Sequence, residues 1–116
     1  MAKSKNGDVA VLEHLFEVIE SRRDADPTVS HTARMFEKGL NKIAQKVGEE
    51  ATETVVAALA ESREALVAES ADLLYHLLLL WSVKGVKPAE VYAELRSRAN
   101  RPAKPVAVAT GGTKDK

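Results

Sequence analysis

Apolar residues recur three or four positions apart over most of the chain. Val11, Leu12, Leu15, Phe16, Val18 and Ile19 make one helix face, and the Asp24-Ala-Asp-Pro27 segment has the composition of a turn that stops it. Ser30 suits a helix N-cap, and after it Ala33, Phe36, Leu40, Ile43 and Val47 form a stripe that Ala51, Val55, Ala58 and Leu59 carry on past Gly48. This pattern predicts one long helix, bent at Gly39 and Gly48. A third helix runs from about Glu64 to Lys84 and ends on Gly85, and Pro88 opens a last short helix that finishes near Arg98. Strand-like alternation is absent. The expected fold is therefore all-α, an antiparallel helical domain over residues 8–100. Residues 1–7 are small and polar, and 101–116 carry Pro, Gly and Lys without apolar periodicity, so both ends are expected to be disordered tails.

The third helix sets a packing problem. Leu73, Leu74, Leu77, Leu78, Leu79, Leu80 and Trp81 are apolar all round, and such a helix must be covered on nearly every side. A chain of 116 residues with only 2 Phe, 2 Tyr and 1 Trp has little to cover it with, which predicts a bundle-like homodimer. Charge and composition narrow the partners further. With 17 Lys+Arg against 17 Asp+Glu there is no net charge to attract nucleic acid. The absence of cysteine excludes disulfides and Cys-ligated zinc or iron-sulfur sites, and it suits a reducing cytoplasm. No signal-peptide pattern opens the chain. The apolar stretch from Leu73 to Val83 is interrupted by His76 and Ser82 and falls short of the ~20 residues of a span, so no membrane association is expected.

The chemistry concentrates between Gly48 and His76, where seven acids stand against one base, Arg63, a balance of minus six. Four of the acids form two pairs of equal spacing: Glu50 with Glu53, and Glu69 with Asp72, each at i, i+3 and so on one helical face. An antiparallel turn near Ala60 to Glu64 would bring the pairs face to face. Like charges gathered beside a buried helix repel and lose hydration, a cost relieved by protonation, a cationic partner or a metal. Oxygen-only ligands select a hard cation, Mg²⁺ or Mn²⁺, and Mg²⁺ takes substrate phosphates among its remaining ligands. The alternative is a solvated acidic face. The doubled spacing next to the most apolar helix argues against it.

Arg34, Lys38, Lys42 and Lys46 recur every fourth residue and lead into Glu49 and Glu50. Lys46, one turn from Glu50, reads as a phosphate contact, while Arg34 and Lys38 read as ordinary helix-surface cations. Ser30 and Thr32 begin their helix, where free backbone N–H groups attract phosphate, although N-capping is the simpler role for Ser30. His76, Trp81 and Phe36 read as core. There is no Cys and no Gly-x-Ser-x-Gly elbow, so the attacking group expected is water activated by the metal rather than a protein nucleophile.

Glu49-Glu50-Ala-Thr-Glu53, then fifteen residues, then Glu69-Ser-Ala-Asp72 resembles the EExxE…ExxD signature of the all-α nucleoside triphosphate pyrophosphohydrolase superfamily. Ser30-His-Thr-Ala33, Phe36-Glu-Lys-Gly39, Lys46-Val-Gly-Glu-Glu-Ala-Thr-Glu53 and Glu69-Ser-Ala-Asp-Leu-Leu-Tyr-His76 are similar to the phosphoribosyl-ATP pyrophosphohydrolase family of histidine biosynthesis. The likeness covers about residues 11 to 98, and it departs at His31, where the family usually has Tyr. The resemblance implies Mg²⁺-dependent hydrolysis of phosphoribosyl-ATP between its α and β phosphates, giving phosphoribosyl-AMP and pyrophosphate, in a helical homodimer. Carried over by position, Glu50, Glu53, Glu69 and Asp72 would bind the metal. Glu49 would support the metal ligands or act as base for the attacking water, and Lys46, with Lys42, would hold phosphate oxygens. The length suits a stand-alone hydrolase rather than a fusion with the cyclase that uses the product.

Two other readings compete. One is a housecleaning pyrophosphohydrolase of the same superfamily acting on a nucleoside triphosphate. The other is a non-enzymatic helical interaction module with a merely solvated acidic face.

Overall fold

Two serines and two glycines punctuate the chain into helices. A computed structural model describes residue 8 and residues 10–101; the expected tails, 1–7 and 101–116, lie outside the described residues except for Arg101. Five helices follow in order: α1 (Val11–Ser21), α2 (His31–Lys38), α3 (Leu40–Ala60), α4 (Arg63–Lys84) and α5 (Pro88–Ala99). No strand occurs among the described residues, and the fold is all-α.

Ser30 Oγ accepts from the Ala33 amide at 3.1 Å and Ser62 Oγ from the Ala65 amide at 3.0 Å, so each serine satisfies a free donor at a helix start. Gly85 ends α4 at φ 72°, where its amide bonds the Ser82 carbonyl at 3.1 Å and the Val86 amide bonds that of Trp81 at 2.9 Å. Pro88 is the first residue of α5, and the Glu90 carboxylate reaches back to accept from the Lys87 amide at 3.0 Å.

The single long helix expected after Ser30 is two helices. Gly39 sits at φ 93° and ψ 178°, a conformation open essentially to glycine alone, and there the chain closes α2 and opens α3. Its amide still bonds the Met35 carbonyl and its own carbonyl still accepts from the Ile43 amide, so the break leaves no orphaned backbone group. Gly48 lies inside the unbroken α3.

α3 and α4 form a long antiparallel hairpin joined through Glu61 and Ser62. α1 packs on α4, α2 lies against both hairpin helices, and α5 packs back on α1. Ile19, Met35, Ile43, Leu78 and Leu79 make the buried core, with Phe16, Phe36, Tyr75 and Trp81 packed on it. Each such aliphatic side chain withdrawn from water stabilises the fold by about 1.5–3 kcal/mol. Ser82, a polar residue in the leucine run, is buried and bonded: it donates to Glu20 and receives Arg23 Nη2 on both its hydroxyl and its carbonyl at 2.8 Å. The Arg23 guanidinium also lies 4.7 Å over the Phe36 ring, which joins α2 to the same knot.

Toward the α3–α4 turn the apolar residues are less covered. Val55, Val56, Leu59 and Val67 are exposed there, Leu59 to 82%, and Leu74 is exposed midway along α4. By length and composition α4, at 22 residues, could cross a membrane, a wider window than the Leu73–Val83 stretch alone offers. It carries Glu69, Asp72 and His76 in its middle, groups that are costly in hydrocarbon, and it is the core helix of this domain.

Candidate metal centre

Antiparallel pairing of α3 and α4 places Glu50 opposite Glu69 and Asp72. One carboxylate oxygen from each of the three lies within 4.8 Å of the others. Glu50 is 6% exposed, Glu69 is half-buried and Asp72 is exposed, so the cluster opens to solvent on the Asp72 side. Glu53 is exposed at the rim and adjoins Glu69 rather than entering the trio.

Loss of hydration raises the Glu69 pKa above the ordinary carboxylate value, and the negative charges of Glu53, Glu50 and Asp72 push it further the same way. Glu50 Oε1 and Glu69 Oε1 are buried without a hydrogen-bond partner. A buried carboxylate oxygen with no donor is costly, and a hard cation held by these two carboxylates would satisfy both. The donor set thus fits Mg²⁺ or Mn²⁺: oxygen only, anionic, and open on one side for further ligands.

Lys46 faces the cluster from one turn earlier in α3. Its Nζ lies 3.5 Å from Glu50 and 3.6 Å from Glu49. Glu49 itself is outside the trio and exposed, and it accepts a 2.7 Å hydrogen bond from Gln45. That bond, aided by the charges of Lys46 and Lys42, holds the Glu49 carboxyl below its usual pKa. Lys42 is half-buried one turn before Lys46. The Ser30 hydroxyl is engaged at the start of α2, as the acceptor for Ala33. Glu61 and Glu64 stand exposed at the hairpin turn, apart from the cluster.

His76 is 6% exposed, in keeping with its reading as core, but only one nitrogen is satisfied. Nδ1 lies 2.8 Å from the Asp72 main-chain carbonyl. A carbonyl only accepts, so Nδ1 carries a hydrogen, while Nε2 is buried without a partner.

Two residues of the site escape a search for charged groups. Thr54 Oγ1 donates to the Glu50 carbonyl at 2.7 Å and lies 3.2 Å from the Glu69 carbonyl, tying together the main chains that carry two of the carboxylates. Gln45 orients Glu49. Their signal in the sequence is position alone: each stands one turn from an acid of the cluster region.

The model of the phosphoribosyl-ATP pyrophosphohydrolase family matches residues 12–99. The chain is 59% identical over 91 residues to the phosphoribosyl-ATP pyrophosphatase of Paramagnetospirillum magneticum, covering 78% of this chain and 84% of that protein. It is 57% identical over 90 residues to the protein of the same name from Granulibacter bethesdensis, of which it spans 56%, and 51% identical over 89 residues to that of Azospirillum brasilense, of which it spans 80%. The matched segment contains four of the five helices whole, all of α1 but Val11, and every residue of the carboxylate cluster, and the chain belongs to the phosphoribosyl-ATP pyrophosphohydrolase family.

Proposed function

We propose that this chain hydrolyses phosphoribosyl-ATP to phosphoribosyl-AMP and pyrophosphate, a step of histidine biosynthesis, with Mg²⁺ as cofactor. The observation that carries the reading is the convergence of Glu50, Glu69 and Asp72 on one point, with two buried oxygens lacking donors, inside the segment that matches the family. A hard divalent cation bound there neutralises triphosphate charge and acidifies water at the α–β linkage.

The chain's own groups divide the remaining work. Glu50, Glu69 and Asp72 hold the cation, with Glu53 as a fourth carboxylate at the rim. Lys46, with Lys42 a turn behind it, holds phosphate oxygens, and the free amides at the start of α2 by Ser30 favour a further phosphate. Glu49 orients the attacking water and accepts its proton. Its lowered pKa keeps the carboxylate ionised and so able to accept a proton. No covalent intermediate is involved.

The active form proposed is a cytoplasmic homodimer. Val55, Val56, Leu59 and Val67 are exposed in the outer part of the hairpin and Leu74 midway along α4, and packing against a second copy would cover them.

The deciding experiment incubates the protein and Mg²⁺ with phosphoribosyl-ATP and with a panel of nucleoside triphosphates and follows pyrophosphate. Preferential release from phosphoribosyl-ATP is expected. Preferential release from a nucleoside triphosphate would reassign the chain to housecleaning, and a melting temperature indifferent to Mg²⁺ and Mn²⁺, with no release from any substrate, would favour a non-enzymatic module.

A further inference from the structure

Three rings meet where α2 begins beside α4. The His31 ring lies over that of Tyr75, with centroids 6.2 Å apart and planes 29° from parallel, and His76 meets Tyr75 edge-on at 5.0 Å. Tyr75 is half-buried and its hydroxyl shares a hydrogen bond with Thr32 Oγ1, so the phenol cannot swing without breaking a tie between the two helices. His31 is exposed and covers this fixed ring on the solvent side.

The ring stack adjoins the carboxylates. Tyr75 stands one helical turn after Asp72 on α4, and Lys46, which contacts Glu50, is close enough for its charge to disfavour a proton on His31. Burial, then the charges of Arg34, His76, Lys38 and Lys46, hold the His31 pKa below the usual histidine value. The lowered value favours the neutral form of this flat outermost ring, which suits it to stack on another ring.

The proposed substrate has two chemically different ends. Carboxylates and lysines deal with phosphate, and none of them addresses a heteroaromatic base. We infer that His31, braced by Tyr75, is the surface on which the purine of the nucleotide stacks while its phosphates lie at the carboxylate cluster. This inference rests on the proposed activity for its ligand class, a purine nucleotide. Stacking on an aromatic side chain uses the π-face that every base has, and the loss of one such platform weakens binding by about tenfold.

The test is a binding titration with AMP and, separately, pyrophosphate, both with Mg²⁺, on the full chain. The chain has only 3 histidines, so their ring signals can be followed individually by NMR. AMP is expected to shift the His31 ring signals and leave those of His14 unmoved, and pyrophosphate to shift the His31 ring signals less than AMP does. His31→Ala should bind AMP about tenfold more weakly with pyrophosphate affinity retained, and His31→Phe, which keeps a flat ring, should restore AMP binding. The inference is overturned if saturating AMP leaves His31 still, if His31→Ala binds AMP like the wild type, if His31→Phe is as weak as His31→Ala, or if AMP and pyrophosphate weaken alike. Failure of the wild type to release pyrophosphate from phosphoribosyl-ATP would count against the proposed activity, and the AMP titration would still decide the role of His31.

Discussion

Thr54 on α3 reaches across to the main-chain carbonyl of Glu69 on α4 at 3.2 Å while it also bonds the Glu50 carbonyl on its own helix. A single hydroxyl thus fixes how far apart two carboxylate-bearing helices stand. Thr54→Val keeps the shape and removes the hydroxyl, so it should cost about 1 kcal/mol in urea unfolding and raise the Mg²⁺ concentration needed for half the metal-induced thermal stabilisation. Thr54→Ser should restore most of both. A valine variant with unaltered Mg²⁺ response would show that the helices hold their spacing without it.

Removing one of the crowded carboxylates should help the metal-free fold. Glu50→Gln, Glu69→Gln or Asp72→Asn is expected to leave the melting temperature in chelator unchanged or higher, to shrink the rise on adding Mg²⁺, and to abolish or severely cut pyrophosphate release. Glu53→Gln should follow the same pattern. Glu61→Gln and Glu64→Gln, on exposed acids at the turn, should do none of these. Equal behaviour of all six would mean a solvated acidic face.

The raised Glu69 pKa sets a sign for pH dependence. Its folded state binds a proton more tightly than its unfolded state, so metal-free stability rises as pH falls from above the raised folded pKa toward the ordinary glutamate value. Asp26 acts oppositely: the amide and hydroxyl of Thr28 hold its pKa down, and its contribution is lost as pH falls through that lowered value. Melting in chelator across mildly acidic pH should show the Glu69 gain, and Glu69→Gln should remove it. A profile unchanged by that substitution would contradict the assignment.

Two glycines in the same apolar stripe should respond with opposite signs to alanine. Gly39→Ala forces a side chain onto φ 93° and should destabilise by about 1–3 kcal/mol, although no atom lies within 4 Å of the added carbon. Gly48→Ala sits in open space inside α3 and should stabilise by about 0.5–1 kcal/mol. Denaturant midpoints decide both.

The proposed dimer gives a final check. Leu59→Glu places a charge on a side chain that is 82% exposed in one chain, so it should spare the monomer fold and shift sedimentation toward monomer. A wild-type chain that sediments as monomer at micromolar concentration would remove the proposal.

The helical architecture was legible because apolar spacing, Ser30, Gly85 and Pro88 all act locally, within one turn of the chain. Gly39 and Gly48 were not separable that way, since both interrupt the same stripe and only packing of α2 decides which one takes a positive φ. The carboxylate cluster was legible to the helix and less so to the residue. From Glu50, three positions on turn the helix by about 300° and four by about 400°, so Glu53 and Thr54 fall on opposite sides of the line that faces α4. The structure gives that contact to Thr54 and leaves Glu53 on the rim, a choice that depends on how α4 is rotated about its own axis. The Arg23, Ser82 and Glu20 knot had no sequence signal, because Ser82 lies 59 residues from Arg23 and 62 from Glu20.

That knot and the core beside it clamp the hairpin at one end only. Ile43 and Leu79 are fully buried there, while toward the turn Ala57 is the last buried apolar side chain of α3 among the described residues. By burial the pair of helices is built like a cantilever, packed at its root and bare at its tip, with the three carboxylates partway along the beam. Amide hydrogen exchange should accordingly quicken from Leu79 toward Ser62 in a lone chain, and whatever grips the tip will stiffen the carboxylates without touching them.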